Sequence, residues 1–110
     1  MISVLLICHL IGDFILQNHW MQAKDRDSWV CGVHIAAYSL PFWVVCIFGS
    51  LPAWFVVVVL IQHGLQDRFA LHRRWMAFFR QTPADKWPVG PLCLDQAWHL
   101  GFMGALTALL

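Results

Sequence analysis

Four apolar stretches, each close to twenty residues long, take up most of this 110-residue chain. They cover residues 2–20, 29–48, 51–69 and 92–110. A helix needs about 20 apolar residues to cross a hydrocarbon core of ~30 Å. Four such segments leave almost no chain for a soluble domain. They predict a single all-α transmembrane domain over residues 1–110, folded as a polytopic four-helix bundle.

The composition agrees with a membrane protein. Hydrophobic residues make up 60% of the chain and charged residues 12%, whereas soluble domains average about 45–50% and about 25%. A soluble helical bundle is the alternative, but it needs a charged outer face that this sequence does not offer. The net charge of +1 predicts no nucleic-acid partner. The first stretch lacks the basic start and the cleavage site of a signal peptide, so we expect a retained helix.

The positive charges are segregated along the chain. Every Lys and Arg lies in the first or third connection, or at the end of the third stretch: Lys24, Arg26, Arg68, Arg73, Arg74, Arg80 and Lys86. Because positive residues favour the cytoplasmic side, we expect both charged connections in the cytoplasm and both termini in the periplasm. Segment 71–79 mixes arginines with aromatic residues. It is either an amphipathic helix on the inner leaflet or a continuation of the third helix.

Each apolar stretch also carries polar residues four positions apart, which places both on one face of a helix. In chain order the pairs are His9 with Asp13, His34 with Tyr38, His63 with Asp67, and Asp95 with His99. With the topology above, all of them fall in the cytoplasmic half of the helices. An Asp facing lipid costs about 2.5–3.5 kcal/mol at a helix centre, so the pairs must face one another. We predict a polar His/Asp core there, with close helix approach at Gly12, Gly32, Gly64 and Gly101.

Histidine and aspartate converging from several helices are typical of a metal site, and this donor set suits Zn²⁺, Fe²⁺ or Mn²⁺. The predicted metal ligands are His9, Asp13, His34, His63, Asp67, Asp95 and His99. Within that set, the first candidates for direct ligands are His9, Asp13, His63, Asp67 and His99. Hydrogen bonds from Gln17, Tyr38 and Gln96 are predicted to orient them. His19 and His72 lie outside the polar faces and are excluded.

These polar segments resemble the motifs of a known family. The strings His9 to Gln17, His34 to Tyr38, His63 to Phe69 and Asp95 to Leu100 are similar to those of domain-of-unknown-function family 3307. That family comprises small integral membrane proteins of bacteria and their phages. The resemblance spans nearly the whole chain and implies a multi-pass protein of the bacterial inner membrane, with no activity assigned. More loosely, the residue types are similar to those of membrane-bound metal-dependent hydrolases.

Three functions stay open at this point. The first is a divalent-metal protein, which as an enzyme would hydrolyse a lipid-linked ester or phosphoester at the inner leaflet. The chain has no Glu to act as a base, so an Asp or a His would have to serve. The second is a proton or metal transport component, whose path a homo-oligomer would complete, since the outer half offers few polar residues. The third is a structural or interaction protein, such as a phage-encoded modulator, with a hydrogen-bonded core. Metal binding is preferred, because repeating costly polar pairs on four helices is expensive if only register is gained.

Overall fold

The computed structural model describes every residue from Met1 to Leu110 and contains helices but no β-strand. The five α-helices are α1 (Ile2–Leu10), α2 (Ser28–Ile47), α3 (Ala53–Phe69), α4 (Leu71–Phe78) and α5 (Gly90–Leu106). A π-helical turn, Ile11–Ile15, continues α1, and two 3₁₀ segments cover Trp20–Asp25 and Thr107–Leu109. The all-α prediction is therefore confirmed.

Local sequence signals explain where the helices begin and end. The Asp27 side chain accepts hydrogen bonds from the backbone N–H groups of Trp29 and Val30, at 2.8 and 3.3 Å, and so caps the start of α2. Ala70 follows α3 with a φ of 47°, in the left-handed region, and this reverses the chain before α4. The segment after α3 is therefore a separate helix and not its continuation. Pro91 lies in the first turn of α5, where proline is well tolerated.

The first helix is shorter than the 2–20 stretch predicts. Its regular part ends at Leu10 and the π-helical turn ends at Ile15. Beyond it, the Asn18 side chain accepts a hydrogen bond from the Met21 backbone at 3.0 Å and starts the 3₁₀ segment. Apolar composition alone could not reveal this change of direction, because Trp20 and Met21 extend the apolar count beyond the helix end.

Four helices close a ring around a common core. Helix α2 packs against α1 and α3, α5 packs against α3 and α1, and α4 lies outside against α3 and α5. Met1, Ser50 and Leu110 line one cavity, so the termini and the α2–α3 turn share one end of the bundle. At the other end, Arg68 donates hydrogen bonds to the Ser28 hydroxyl and the Asp25 carbonyl, both at 3.0 Å. Arg73 Nη1 also donates to Asp25 Oδ2 at 3.1 Å, so the two charged connections meet at that end.

The interior divides into an apolar half and a polar half. The apolar half, on the side of the termini, consists of Leu5, Cys8, Tyr38, Phe42, Leu51, Phe55, Val56, Val59 and Met103. The polar half, on the side of the charged connections, buries His9, Asp13, His34, His63, Gln66, Asp67, Asp95 and His99. The polar residues that lie four positions apart on one helix therefore face the interior of the bundle, as the sequence predicts.

Close backbone approach is needed at one glycine of the four expected. A Cβ atom at Gly12 would lie 2.6 Å from Tyr38 Cδ2 and 2.9 Å from the Tyr38 carbonyl oxygen. The nearest atom at Gly64 would be 3.5 Å away, an ordinary contact, and Gly32 and Gly101 have open space within 4 Å. The prediction of close approach is thus correct for Gly12 and wrong for the other three.

Much of the outer surface is apolar, and one helix meets the length and hydropathy expected of a membrane span. Helix α2 has 20 residues, and an 18-residue stretch of it has a mean hydropathy of 1.8. Helices α3 and α5 have 17 residues each, at the lower limit of the roughly 17–25 residues needed. The fold therefore contains one candidate spanning helix, and the four-span arrangement stays a prediction.

Candidate metal centre

Four donor atoms meet at the centre of the polar half. They are Asp13 Oδ1 from the π-helical turn, His34 Nε2 from α2, and His63 Nε2 and Asp67 Oδ2 from α3, all within 4.8 Å of one another. His34 Nε2 lies 3.4 Å from Asp13 Oδ1 and 3.1 Å from Asp67 Oδ2. The corresponding distances from His63 Nε2 are 3.5 and 3.0 Å. The two Nε2 atoms are 3.1 Å apart.

These spacings suit the ligands of a metal ion. An ion bound tetrahedrally through bonds of about 2.0–2.1 Å separates its ligands by roughly 3.3 Å, and the five distances above run from 3.0 to 3.5 Å. Asp13 Oδ1 and Asp67 Oδ2 are fully buried, and Asp13 Oδ1 has no hydrogen-bond partner. The four donors thus converge on one buried point. Two imidazoles and two carboxylates could hold Zn²⁺, Fe²⁺ or Mn²⁺.

A second group of donors adjoins the first. It comprises Asp95 and His99, four residues apart on α5, together with Asp13. His99 Nε2 lies 3.4 Å from Asp95 Oδ1 and forms a hydrogen bond of 3.1 Å with Asp67 Oδ1. Six of the seven predicted ligands therefore fall into two adjoining groups.

His9, the seventh, lies beside these groups and supports Asp13. The Tyr38 hydroxyl donates to His9 Nδ1 at 3.0 Å, His9 Nε2 donates to Gln96 Oε1 at 2.7 Å, and Gln96 Nε2 donates to Asp13 Oδ2 at 2.8 Å. These directions follow from the amide, whose NH₂ faces the carboxylate and whose carbonyl faces the imidazole. His9 Nε2 is 3.7 Å from Asp13 Oδ2. The chain fixes Asp13 through one oxygen and leaves Oδ1 for the centre.

Asp95 is held in a similar way by another glutamine. Gln62 Nε2 donates to Gln66 Oε1 at 2.6 Å, and Gln66 Nε2 donates to the Asp95 carbonyl at 2.9 Å and to Oδ1 at 3.1 Å. His72 Nδ1 lies 3.2 Å from the same Oδ1. His72 lies outside the polar faces predicted from the sequence, but the reversal at Ala70 folds α4 back and brings this histidine to the edge of the cluster.

Lys24 is a further residue at the site, contributed by the 3₁₀ segment. Its Nζ lies 2.9 Å from Asp67 Oδ2 and 3.7 Å from Asp13 Oδ1, and it donates to Gln17 Oε1 at 2.8 Å. Gln17, predicted to orient a ligand, thus contacts the lysine. Burial disfavours the charged ammonium, but the Asp67 and Asp13 carboxylates outweigh burial and raise the pKa of Lys24 above its ordinary value.

The periodic pattern could not find Lys24, because this residue belongs to a connection and not to a helix face. Its position affects the charge of the site. Three carboxylates, on Asp13, Asp67 and Asp95, face one ammonium, so with neutral histidines the cluster carries two negative charges. A divalent cation would neutralise them.

An apolar groove lies beside the cluster, between α3, α4 and α5. It has a volume of about 690 Å³ and walls that include Leu65, Trp75 and Trp98. Arg74 also lines it, and so does Gln66, the residue that holds Asp95. The groove therefore extends to within one side chain of the His/Asp cluster. His19, by contrast, is exposed.

The fold and the cluster together define a class: a small all-α protein with a buried His/Asp centre that could hold a divalent ion. The chain belongs to the family described as protein of unknown function (DUF3307), which it matches over residues 1–110. The family membership predicted from the four polar strings is confirmed. No curated protein and no solved structure matches the chain.

Proposed function

We propose that this protein is an integral membrane protein that binds a divalent metal ion through Asp13, His34, His63 and Asp67. One observation carries the proposal: four buried donor atoms lie at the spacing of ligands around one ion. The charge of the cluster supports the proposal, because one dication balances the two negative charges that Lys24 leaves uncompensated. Asp95 and His99 adjoin this group, and His9 acts by holding Asp13 in place.

A hydrogen-bonded core without metal is the main alternative, and an unpartnered buried oxygen argues against it. Buried polar groups in native proteins are nearly all hydrogen-bonded. In this cluster, Asp13 Oδ1 is buried and lacks such a partner. A core that served only to fix the helix register would satisfy this oxygen within the chain.

The bundle is proposed to lie in the bacterial inner membrane with the cluster near the cytoplasmic side. Every Lys and Arg lies in a connection or at a helix end on the side of the cluster, and this distribution supports the orientation. Both termini would then be periplasmic. A reporter fused to Leu110 should give a periplasmic signal, and a cytoplasmic signal would refute this orientation.

Hydrolysis of a lipid-linked ester or phosphoester is a second candidate function, favoured by the groove between α3, α4 and α5. Its walls are mostly apolar and suit an acyl chain, whereas the Arg74 guanidinium suits a phosphate. Gln66 connects the groove to Asp95. Transport across a single copy is less favoured, because nine buried apolar residues fill the other half of the bundle.

Elemental analysis of the detergent-purified protein tests metal binding. We expect stoichiometric Zn, Fe or Mn in the wild type and its loss in Asp67→Asn, which weakens the charge at the centre. Asp85→Asn, an exposed acidic residue in the loop before α5, is the matched control and should keep the metal. A wild-type protein that neither retains nor takes up a transition metal would overturn the proposal in favour of a hydrogen-bonded core.

A further inference from the structure

The geometry points to a second divalent ion beside the first, held by Asp95 and His99 and bridged to the first by Asp67. This inference rests on the proposed function, since the first ion occupies the group described above. It assigns a metal ion to two buried side chains that a single ion at that group would leave uncoordinated: Asp95 is 9% exposed and His99 is 2% exposed.

Asp67 faces in two directions. Its Oδ2 lies 3.1 and 3.0 Å from the Nε2 atoms of His34 and His63, whereas its Oδ1 lies 3.1 Å from His99 Nε2. A carboxylate whose two oxygens meet different histidines is placed to bridge two ions. In paired metal sites the ions are about 3.5–4 Å apart, a separation that one carboxylate group spans.

The number of donors also exceeds what one tetrahedral ion such as Zn²⁺ takes. A tetrahedral ion uses four ligands, and the first group supplies four. His99 Nε2 and Asp95 Oδ1 then remain at a separation of 3.4 Å, again the spacing of two ligands on one ion. Asp13 contributes to both donor groups. Asp95 is positioned by Gln66, independently of the first group.

The chemistry of the second group sets its preference and its affinity. Carboxylate oxygens outnumber the single imidazole, which favours a harder ion such as Mn²⁺. Once the first dication and Lys24 have balanced the three carboxylates, a second dication makes the cluster positive. We therefore expect the second ion to bind more weakly than the first.

Mn²⁺ itself is the probe for this inference. The full chain in detergent micelles is stripped with EDTA, titrated with Mn²⁺, and examined by elemental analysis and electron paramagnetic resonance. Two ions per chain and a spin-coupled signal are expected for the wild type. Asp95→Asn, which keeps an oxygen for the Gln66 hydrogen bond, should bind one ion with an uncoupled six-line signal. Asp85→Asn should behave like the wild type, because Asp85 is exposed and lies in a loop.

The outcomes separate this inference from the proposed function. One ion in both the wild type and Asp95→Asn overturns the second site and leaves the first intact. No ion in the wild type overturns both. Two ions retained in Asp95→Asn also overturn the assignment. His99→Gln repeats the test if Asp95→Asn aggregates, and if both variants aggregate the wild-type spectrum decides: a coupled signal supports the pair, and one uncoupled ion per chain excludes it.

Discussion

Replacing Lys24 by methionine should make the stability of this protein depend on metal. The ammonium lies 2.9 Å from Asp67 Oδ2 and 3.7 Å from Asp13 Oδ1, and its side chain is 16% exposed. Two unit charges about 4 Å apart attract by roughly 4 kcal/mol at an effective dielectric constant near 20. Desolvation of the lysine offsets part of this attraction. Removing one partner of a buried ion pair costs about 3–5 kcal/mol, because the other charge is left uncompensated.

Without metal, Lys24→Met should therefore unfold at a temperature lower by on the order of 10 °C or more. Methionine keeps the apolar part of the lysine side chain, so lost packing contributes little to this change. The effect should be far smaller in Lys24→Arg, which retains the positive charge.

With metal, the sign of the charge effect reverses. The Lys24 ammonium attracts the same oxygens that would bind the ion, and it repels the ion itself. Its removal should tighten metal binding, and each tenfold gain in affinity adds about 1.4 kcal/mol of stabilisation once the ion is in excess. The rise in Tm on adding metal should thus be larger in Lys24→Met than in the wild type.

Thermal unfolding in detergent micelles, with EDTA and with saturating Zn²⁺, measures both effects. Lys86→Met is the matched control, because Lys86 is exposed in the loop before α5. It should unfold like the wild type under both conditions. The reasoning is refuted if Lys24→Met keeps the wild-type Tm in EDTA, or if Zn²⁺ raises the Tm of both proteins equally.

Four further substitutions, one of them a matched control, test the packing and the support of the centre. Gly12→Ala puts a Cβ 2.6 Å from Tyr38 Cδ2. It should lower the free energy of unfolding by about 1–3 kcal/mol, as measured by thermal unfolding. Gly32→Ala is the control: its Cβ lies in open space, so the change should be neutral or stabilising. Ala70→Gly removes a left-handed alanine and should stabilise by roughly 1 kcal/mol, with metal content unchanged. Gln96→Leu breaks the hydrogen bond to Asp13 Oδ2 and should weaken metal binding about 10–100-fold in titrations; unchanged affinity would exclude an orienting role.

The sequence allowed the helices and most of the cluster to be predicted because both follow from periodicity. Residues four apart, such as His63 and Asp67, must share a helix face. Their charge then decides which face turns inward, since an Asp in an apolar helix has no acceptable position on the outside. The buried positions of both residues agree with that reasoning.

Lys24 and His72 could not be predicted in this way, because they reach the cluster through changes of chain direction. The 3₁₀ segment carries Lys24 over the polar end of the bundle, and the left-handed Ala70 turns His72 towards Asp95. Neither turn has a strong signal in the sequence: alanine is an unusual residue at a left-handed position. The i, i+4 spacing of His9 and Asp13 likewise could not show that His9 would face a glutamine.

The charge of the cluster could in principle be balanced by protons instead of a metal ion. Two protonated histidines would supply the same two positive charges. The Nε2 atoms of His34 and His63, however, lie 3.1 Å apart. If both were protonated, two cationic N–H groups would oppose each other at hydrogen-bond distance, where only one proton can be shared. A single dication supplies both charges at one point and accepts both nitrogens as ligands. The close approach of these two imidazoles therefore argues against protonation of both, and a protonated core would have to place its second proton on another histidine, such as His99, which lies 3.1 Å from Asp67 Oδ1.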